Sequence, residues 1–365
     1  MTRPLFFLCA LLYFNFSSAQ AISQSLRFLK PEKAGYSSSF FSDLGQKMSD
    51  SIPSLGSFVV WSHDAIIYEN YFHGASATTS FNIKSITKSV VSALAGIAQA
   101  KGLLPALDSP VIRFFPEFAA PHRTSPNVWF ANDKAWEDSI REMLRLKDLL
   151  SMQTGWDWSD FGQAVNIFIN SADPVRFTMD IPFAETPGKK FNYCSAATSL
   201  FSAALAKCVK TDLRAFAESN LFEPSGIKID RWDTDPVGRY VGASEMFMNA
   251  RNLLRFGLIY LHRGKAGDKQ LIPANWVSIS TQKQAELDYW DVLPGANGYG
   301  YFWWRRITNG HQAFIASGAG GQLITVVPDL GLVVVATCLL NENNRGREEI
   351  KRLHLFIDTL TKASR

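Results

Sequence analysis

The chain has 365 residues, 47% hydrophobic and 19% charged, with 24 Gly, 16 Pro and 4 Cys, a balance that excludes a collagen, a disordered tail and a disulfide-stapled miniprotein. Lys and Arg number 37 against 33 Asp and Glu, and the densest basic run, residues 345–352, is interrupted by two Glu, so nucleic acid is not an expected partner. At about 150 residues per domain the length suits two units, or one large α/β unit carrying an insertion.

The chain opens with Arg3, an apolar stretch over residues 5–16 and the small residues Ser17, Ser18, Ala19 and Ala21, the three parts of a secretory leader with cleavage near Ala19 or Ala21. About a dozen apolar residues fall short of the roughly 20 that cross a bilayer. Residues 1–21 are therefore expected to be removed and 22–365 exported, to the periplasm or beyond, with no membrane attachment. Cys9 lacks the preceding tripeptide of a bacterial lipoprotein. Cleavage leaves Cys194, Cys208 and Cys338, an odd set that cannot be fully paired.

Residues 58–61 and 66–72 are β-rich runs around Ser62-His63-Asp64-Ala65 and predict a hairpin. Over 85–100 the period changes: Ile86, Val90, Val91, Leu94, Ile97 and Ala98 fall at helical spacing, and Gly102 suits the stop. From about 103 to 263 helical patterns, such as 140–152, 196–210 and 249–262, alternate with Pro-rich turns. Strand pattern returns at 299–304, 311–316, 323–327 and 332–337, and an amphipathic helix over 348–362 follows. Strands at both ends with helices between them predict an α/β fold, its α/β part near 25–84 and 265–365 and its mainly helical part near 85–264.

The six His are scattered. No His-x-His, His-Glu-x-x-His, Cys-x-x-Cys, Asp-rich calcium loop or phosphate loop occurs, so neither a metal nor an organic cofactor is implied. Gly-x-Ser-x-Gly is missing too; the stretches around Ser76 and Ser244 lack the final glycine. What stands out is Ser85-Ile86-Thr87-Lys88, opening the apolar helix after a strand and a polar turn. The same spacing recurs at Ser225 to Lys228, in a turn, and at Ser280 to Lys283, expected on a solvated face. Only at Ser85 does it meet a helix start in the core, where i, i+3 spacing sets Lys88 over the Ser85 hydroxyl. Burial lowers a lysine pKa and lets the amine take the serine proton; the alternative is an N-cap serine with a surface lysine. Tyr193, in a turn that launches the helix at 196–210, is the best phenol to relay that proton, ahead of Tyr68 in the hairpin. After the strand at 311–316, Ser317-Gly318-Ala319-Gly320-Gly321-Gln322 allows close approach of substrate to backbone, or is a plain tight turn.

At these three places together the chain resembles the penicillin-recognising serine hydrolases, in particular the class C β-lactamase and esterase superfamily. The similarity runs from about Lys30 to Leu360 and includes Leu107 to Val111, Lys147 to Gly155 and Leu221 to Ile227. The resemblance implies an antiparallel sheet flanked by helices, with an inserted helical domain. It also implies roles: Ser85 as acylated nucleophile, Lys88 as its base, Tyr193 as proton relay, and the backbone N–H groups of Ser85 and Ala319 as oxyanion hole. The family's Tyr-x-Asn has become Tyr193-Cys194-Ser195, and its Lys-Thr-Gly has become Ala316-Ser317-Gly318. Loss of that lysine, which would hold a substrate carboxylate, turns the expectation from β-lactams and D-amino-acid peptides toward linear amides and small esters. In that respect the chain looks like the branch holding 6-aminohexanoate-dimer hydrolases and carboxylesterases. Ser195, Ser317 and Gly318 are the expected substrate contacts. Asp157 is a candidate for a substrate amine, Trp304 and its aromatic neighbours for an acyl pocket or for core, and Arg305 or Arg306 for a carboxylate. The rivals are a true β-lactamase or D-amino-acid peptidase, and a ligand-binding or sensor protein that kept the fold without turnover. The expected partner is a small ester or amide substrate; oligomeric state and natural substrate are not legible.

Overall fold

The computed structural model describes residues 26–119, 134–287, 293–340 and 347–363, and the expected leader, residues 1–21, lies outside them. The hairpin forms as read: β1 (Leu55–Ser62) pairs antiparallel with β2 (Ala65–Tyr71). The late strands are β3 (Ala296–Tyr299), β4 (Trp304–Thr308), β5 (His311–Gly318), β6 (Gln322–Val327) and β7 (Leu332–Cys338). Together they make one seven-stranded sheet in the order β2-β1-β7-β6-β5-β4-β3. Every pairing in it is antiparallel. β1, near the start of the described chain, lies directly against β7, near its end, so both ends of the sequence complete one sheet.

β1, β6 and β7 are buried along their whole length, as strands covered on both faces must be. The covers are α4 (Ala250–Leu261) on one face and α5 (Arg347–Ala363), with α1 (Ser38–Ser51) packed against it, on the other. Cross-strand partners share a face, and Val333, Val326, Phe314 and Arg305 are in register. Gly257 of α4 sits on that face, so close that a Cβ there would stand 2.8 Å from Val333 Cγ1 and 2.9 Å from Ile324 Cγ2. Arg306, the next residue of β4, points the other way and its Nη1 and Nη2 donate to Asp358 of α5 at 2.6 Å each. The sequence counted 249–262 with the helical part; its packing puts that helix on the sheet.

Between the sheet's two halves of sequence lie α2 (Ile86–Ala100) and α3 (Ser195–Val209). Every α2 side chain from Ile86 to Ala98 is buried, so this helix is central rather than amphipathic. A small sheet of Phe81–Asn82, Met246–Met248 and Arg231–Trp232 feeds into its start. Two expected elements are different. The stretch read as one strand over 299–304 is instead the end of β3, a turn over residues 300–303 and the start of β4, with Phe302 at φ 61° and its N–H bonded to Leu150 O. The helix read over 140–152 is two helices, Lys134–Met143 and Leu146–Leu150. Among the described residues no helix is long and apolar enough to cross a membrane.

Candidate active site

Ser85 stands at the N-cap of α2, yet its side chain caps nothing. Its hydroxyl faces Lys88 instead, with Nζ and Oγ 2.9 Å apart. That geometry sets aside the reading of Ser85 as a capping residue with a surface lysine, since Lys88 is only 1% exposed. The turn carrying Ser85 is built from both sides. Lys84 is left-handed, at φ 49°, as is Glu245 at φ 64°. Lys84 Nζ donates to Glu245 Oε1 at 3.1 Å, and Asn82 Nδ2 to Glu245 Oε2 at 2.7 Å. Two strained residues from distant segments thus hold each other beside Ser85.

Lys88 Nζ has three oxygen partners: Ser85 Oγ, Ser195 Oγ at 3.1 Å and the Ala243 carbonyl at 2.9 Å. Burial pushes its pKa down to about 8, with the charge of Asp160 pulling the other way. A substantial fraction of the amine is therefore neutral near pH 8, able to accept a proton from Ser85. The Tyr193 ring lies 5.1 Å from Nζ and its hydroxyl hydrogen-bonds Ser85. Burial, with Asp160's charge, drives the Tyr193 pKa well up, the bond to Ser85 opposing. The phenol thus keeps its proton and is a donor. Cys194, between Tyr193 and Ser195, is fully buried, and burial raises its pKa well above that of a free thiol; it is not the nucleophile.

The sequence did not single out Asp160. Its Oδ1 accepts from Trp158 Nε1 at 2.5 Å and from the Ser195 N–H at 2.8 Å, and its Oδ2 from the Ser195 hydroxyl at 2.5 Å. The loop carrying it is tied to the tyrosine segment by Asn192, whose Nδ2 donates to Trp158 O at 2.8 Å. Asp157, the expected amine binder in that loop, is exposed, and its backbone N–H is bonded to Pro182 O. No sequence signal favours Asp160, flanked by Ser159 and Phe161, over Asp157, which stands between Trp156 and Trp158.

The glycine-rich stretch lies against the turn that precedes Ser85. A Cβ on Gly318 would lie 2.5 Å from Ile83 O and 3.1 Å from Lys84 Cβ, so the end of β5 abuts the turn before Ser85. Ala316 and Ser317 are buried in the β5–β6 ladder, and Ala319 follows Gly318 exposed on the hairpin. Trp304, 3% exposed, stacks on Tyr193 at 5.4 Å and 22°; it backs the tyrosine rather than lining an open wall. Tyr299, Tyr301, Phe302 and Trp303 are likewise core. Arg305 donates to Gln312 and Arg306 to Asp358, so neither serves as the carboxylate binder. Tyr68 stacks on Phe41 on the edge strand β2. Of the other two Ser-x-x-Lys stretches, Ser225 and Ser280 both bond helix carbonyls; Ser280, expected on a solvated face, is buried.

The sequence matches the Beta-lactamase family over residues 46–358. The fold is similar to that of a putative 6-aminohexanoate-dimer hydrolase from Bacillus anthracis, with 17% identity, a TM-score of 0.69 and coverage of 88% of this chain and 81% of that one. It is similar also to EstCE1, described as a hydrolase with promiscuous acyltransferase activity, at 16% identity and a TM-score of 0.67, covering 90% and 98%. A third likeness is to an octameric penicillin-binding protein homologue from Pyrococcus abyssi, at 17% identity and a TM-score of 0.66, covering 90% and 78%. Such identities establish a shared fold. No curated protein matches the chain significantly.

Proposed function

The chain belongs to the beta-lactamase family, a family of serine hydrolases, and from that premise we propose that it cleaves small esters or linear amides through an acyl-enzyme on Ser85. The observation that carries this reading is the 2.9 Å approach of Lys88 Nζ to an uncapped Ser85 hydroxyl beside a lysine whose burial favours the neutral amine. Ser85 Oγ attacks the substrate carbonyl and passes its proton to Lys88. The oxyanion is met by the N–H groups of Ser85, at the first turn of α2, and of Ala319. Tyr193 protonates the leaving alcohol or amine and is reprotonated from Lys88. Water then attacks the acyl-serine by the reverse of the same transfers, releasing the acid and restoring Ser85.

Ala316 in place of a lysine, with Arg305 and Arg306 engaged elsewhere, favours substrates without a carboxylate at that end. The relatives' printed names include an aminohexanoate-dimer hydrolase and a hydrolase with acyltransferase activity, which agrees with amide and ester chemistry. Export, to the periplasm or outside the cell, is part of the proposal and rests on the leader-like residues 1–21. The test is turnover of p-nitrophenyl butyrate, a linear 6-aminohexanoate dimer and a penicillin by the protein lacking residues 1–21. Ester or linear-amide hydrolysis exceeding penicillin hydrolysis is the expected order. Penicillin as the best substrate would replace the proposal with a β-lactamase, and no turnover of any would favour a binding protein.

A further inference from the structure

The hydrogen bonds around Lys88 fix more than its position. An ammonium has three protons to donate, and the three oxygens around Nζ can take all of them. When one proton leaves, two N–H donors and one lone pair remain, and the partners decide where the lone pair points. The Ala243 carbonyl can only accept. The Ser195 hydroxyl has one proton, committed at 2.5 Å to Asp160 Oδ2, so toward Nζ it too can only accept. Ser85 is then the one partner of the three with a proton to give.

We infer that Asp160, acting through Ser195, is a positioning residue that aims the lone pair of Lys88 at the Ser85 hydroxyl. The carboxylate is itself held: Trp158 Nε1 and the Ser195 N–H both donate to its Oδ1, leaving Oδ2 for the serine. Without Asp160 the Ser195 hydroxyl would be free to rotate and donate into the lone pair of Lys88, competing with Ser85 for the base. This inference deepens the acyl-enzyme reading and rests on it.

The charge of Asp160 also favours the ammonium form of Lys88. The other groups facing Nζ are Tyr193 and Cys194, from the segment leading into α3. Glu245, two residues beyond Ala243, is held by Lys84 and Asn82. Removing the Asp160 charge therefore makes Lys88 easier to deprotonate. In Asp160→Asn the rising limb of kcat/KM for p-nitrophenyl butyrate moves to lower pH, by about 0.5–1 unit. Its plateau kcat falls roughly 10–100-fold with little change in KM, because the base is misaimed. The limb reports the lost charge and the fall in plateau kcat at unchanged KM reports the lost aim; a purely structural role does not give the two together.

Two further variants remove dependence on the folding of Asp160→Asn. Ser195→Thr keeps the hydroxyl and is expected to retain most activity, whereas Ser195→Ala loses it to the same degree as Asp160→Asn. The double variant Asp160→Asn with Ser195→Ala should fall no further than either single one, since both break one chain. An unshifted limb in a folded Asp160→Asn, or equal activity of the Thr and Ala variants at 195, would overturn the inference. Both outcomes leave the Ser85 reading standing, because neither removes Ser85 or its contact with Lys88; turnover of substrate by Ser85→Ala is among the results that would end that reading.

Discussion

At the residue scale the chemistry turns on Lys88. Its usual pKa is near 10.5, and burial brings it to about 8 in the fold. The base acts when neutral, so kcat/KM should rise with pH through about 8 and stay high above it, Tyr193 holding its proton. The same shift has a stability consequence. Between about pH 8 and 10.5 the unfolded chain carries a proton on this lysine that the folded chain has lost, so stability should rise with pH across that window. At pH 7 both states are charged and the fold bears the burial penalty in full. Lys88→Met is therefore expected to be inactive but more stable at pH 7, by about 1–3 kcal/mol in urea unfolding. A less stable Lys88→Met would show that the three hydrogen bonds outweigh the desolvation. That Ser85, Lys88 and Tyr193 meet was legible in the sequence because Ser-x-x-Lys is local geometry, one helical turn, and the tyrosine stands at a helix start. Asp160 was not. Its partner Ser195 is distant in sequence, and loops have no period from which to choose Asp160 over Asp157.

At the element scale, the start of α2 is held by the Lys84–Glu245 pair, which joins two left-handed residues across the small sheet. Glu245 is half-buried. Burial alone would raise its pKa, but the Lys84 charge and the hydrogen bonds it accepts lower it below the usual value. The pair's stabilisation is present above the ordinary glutamate pKa and is lost as pH falls through the lowered one. Glu245→Gln should therefore cost modestly in stability, about 1 kcal/mol or less for a partly exposed pair. Its effect on kcat should be larger, roughly 10-fold, since the turn that carries Ser85 loses one of its two holds. Steady-state kinetics beside thermal melting separate the two; a kcat equal to that of the parent would mean that the ladder hydrogen bonds alone place Ser85. The sequence misread the 299–304 stretch for a related reason. Consecutive aromatic residues satisfy a strand pattern, and only the contact of Phe302 N–H with Leu150 O reveals that the chain turns there.

At the scale of the whole molecule, the architecture was legible and the packing partners of its helices were not. Strand alternation and a final amphipathic helix are written in the period of the sequence, whereas the face that α4 covers depends on Gly257 meeting Val333 and Ile324. The lower end of the pH range tests how α5 is docked. His354 is 1% exposed, and its two ring nitrogens meet no hydrogen-bond partner among the described residues. Burial, with the nearby Arg306 charge, pushes its pKa down to about 3, against a weaker upward pull from Asp358. The unfolded chain takes up this proton from about pH 6.5 downward and the folded chain does not. Stability should accordingly fall as pH drops from about 6.5 to 3, by up to about 1.4 kcal/mol per pH unit from this residue. His354→Leu should flatten that slope in urea titrations; an unchanged slope would assign the acid loss to the carboxylates. None of this bears on the chemistry as directly as one experiment on Ser85. Intact mass would be measured after a fluorophosphonate probe is mixed with the protein and with Ser85→Ala. One covalent adduct is expected on the parent and none on the variant, while an adduct on both, or on neither, would contradict Ser85 as the nucleophile.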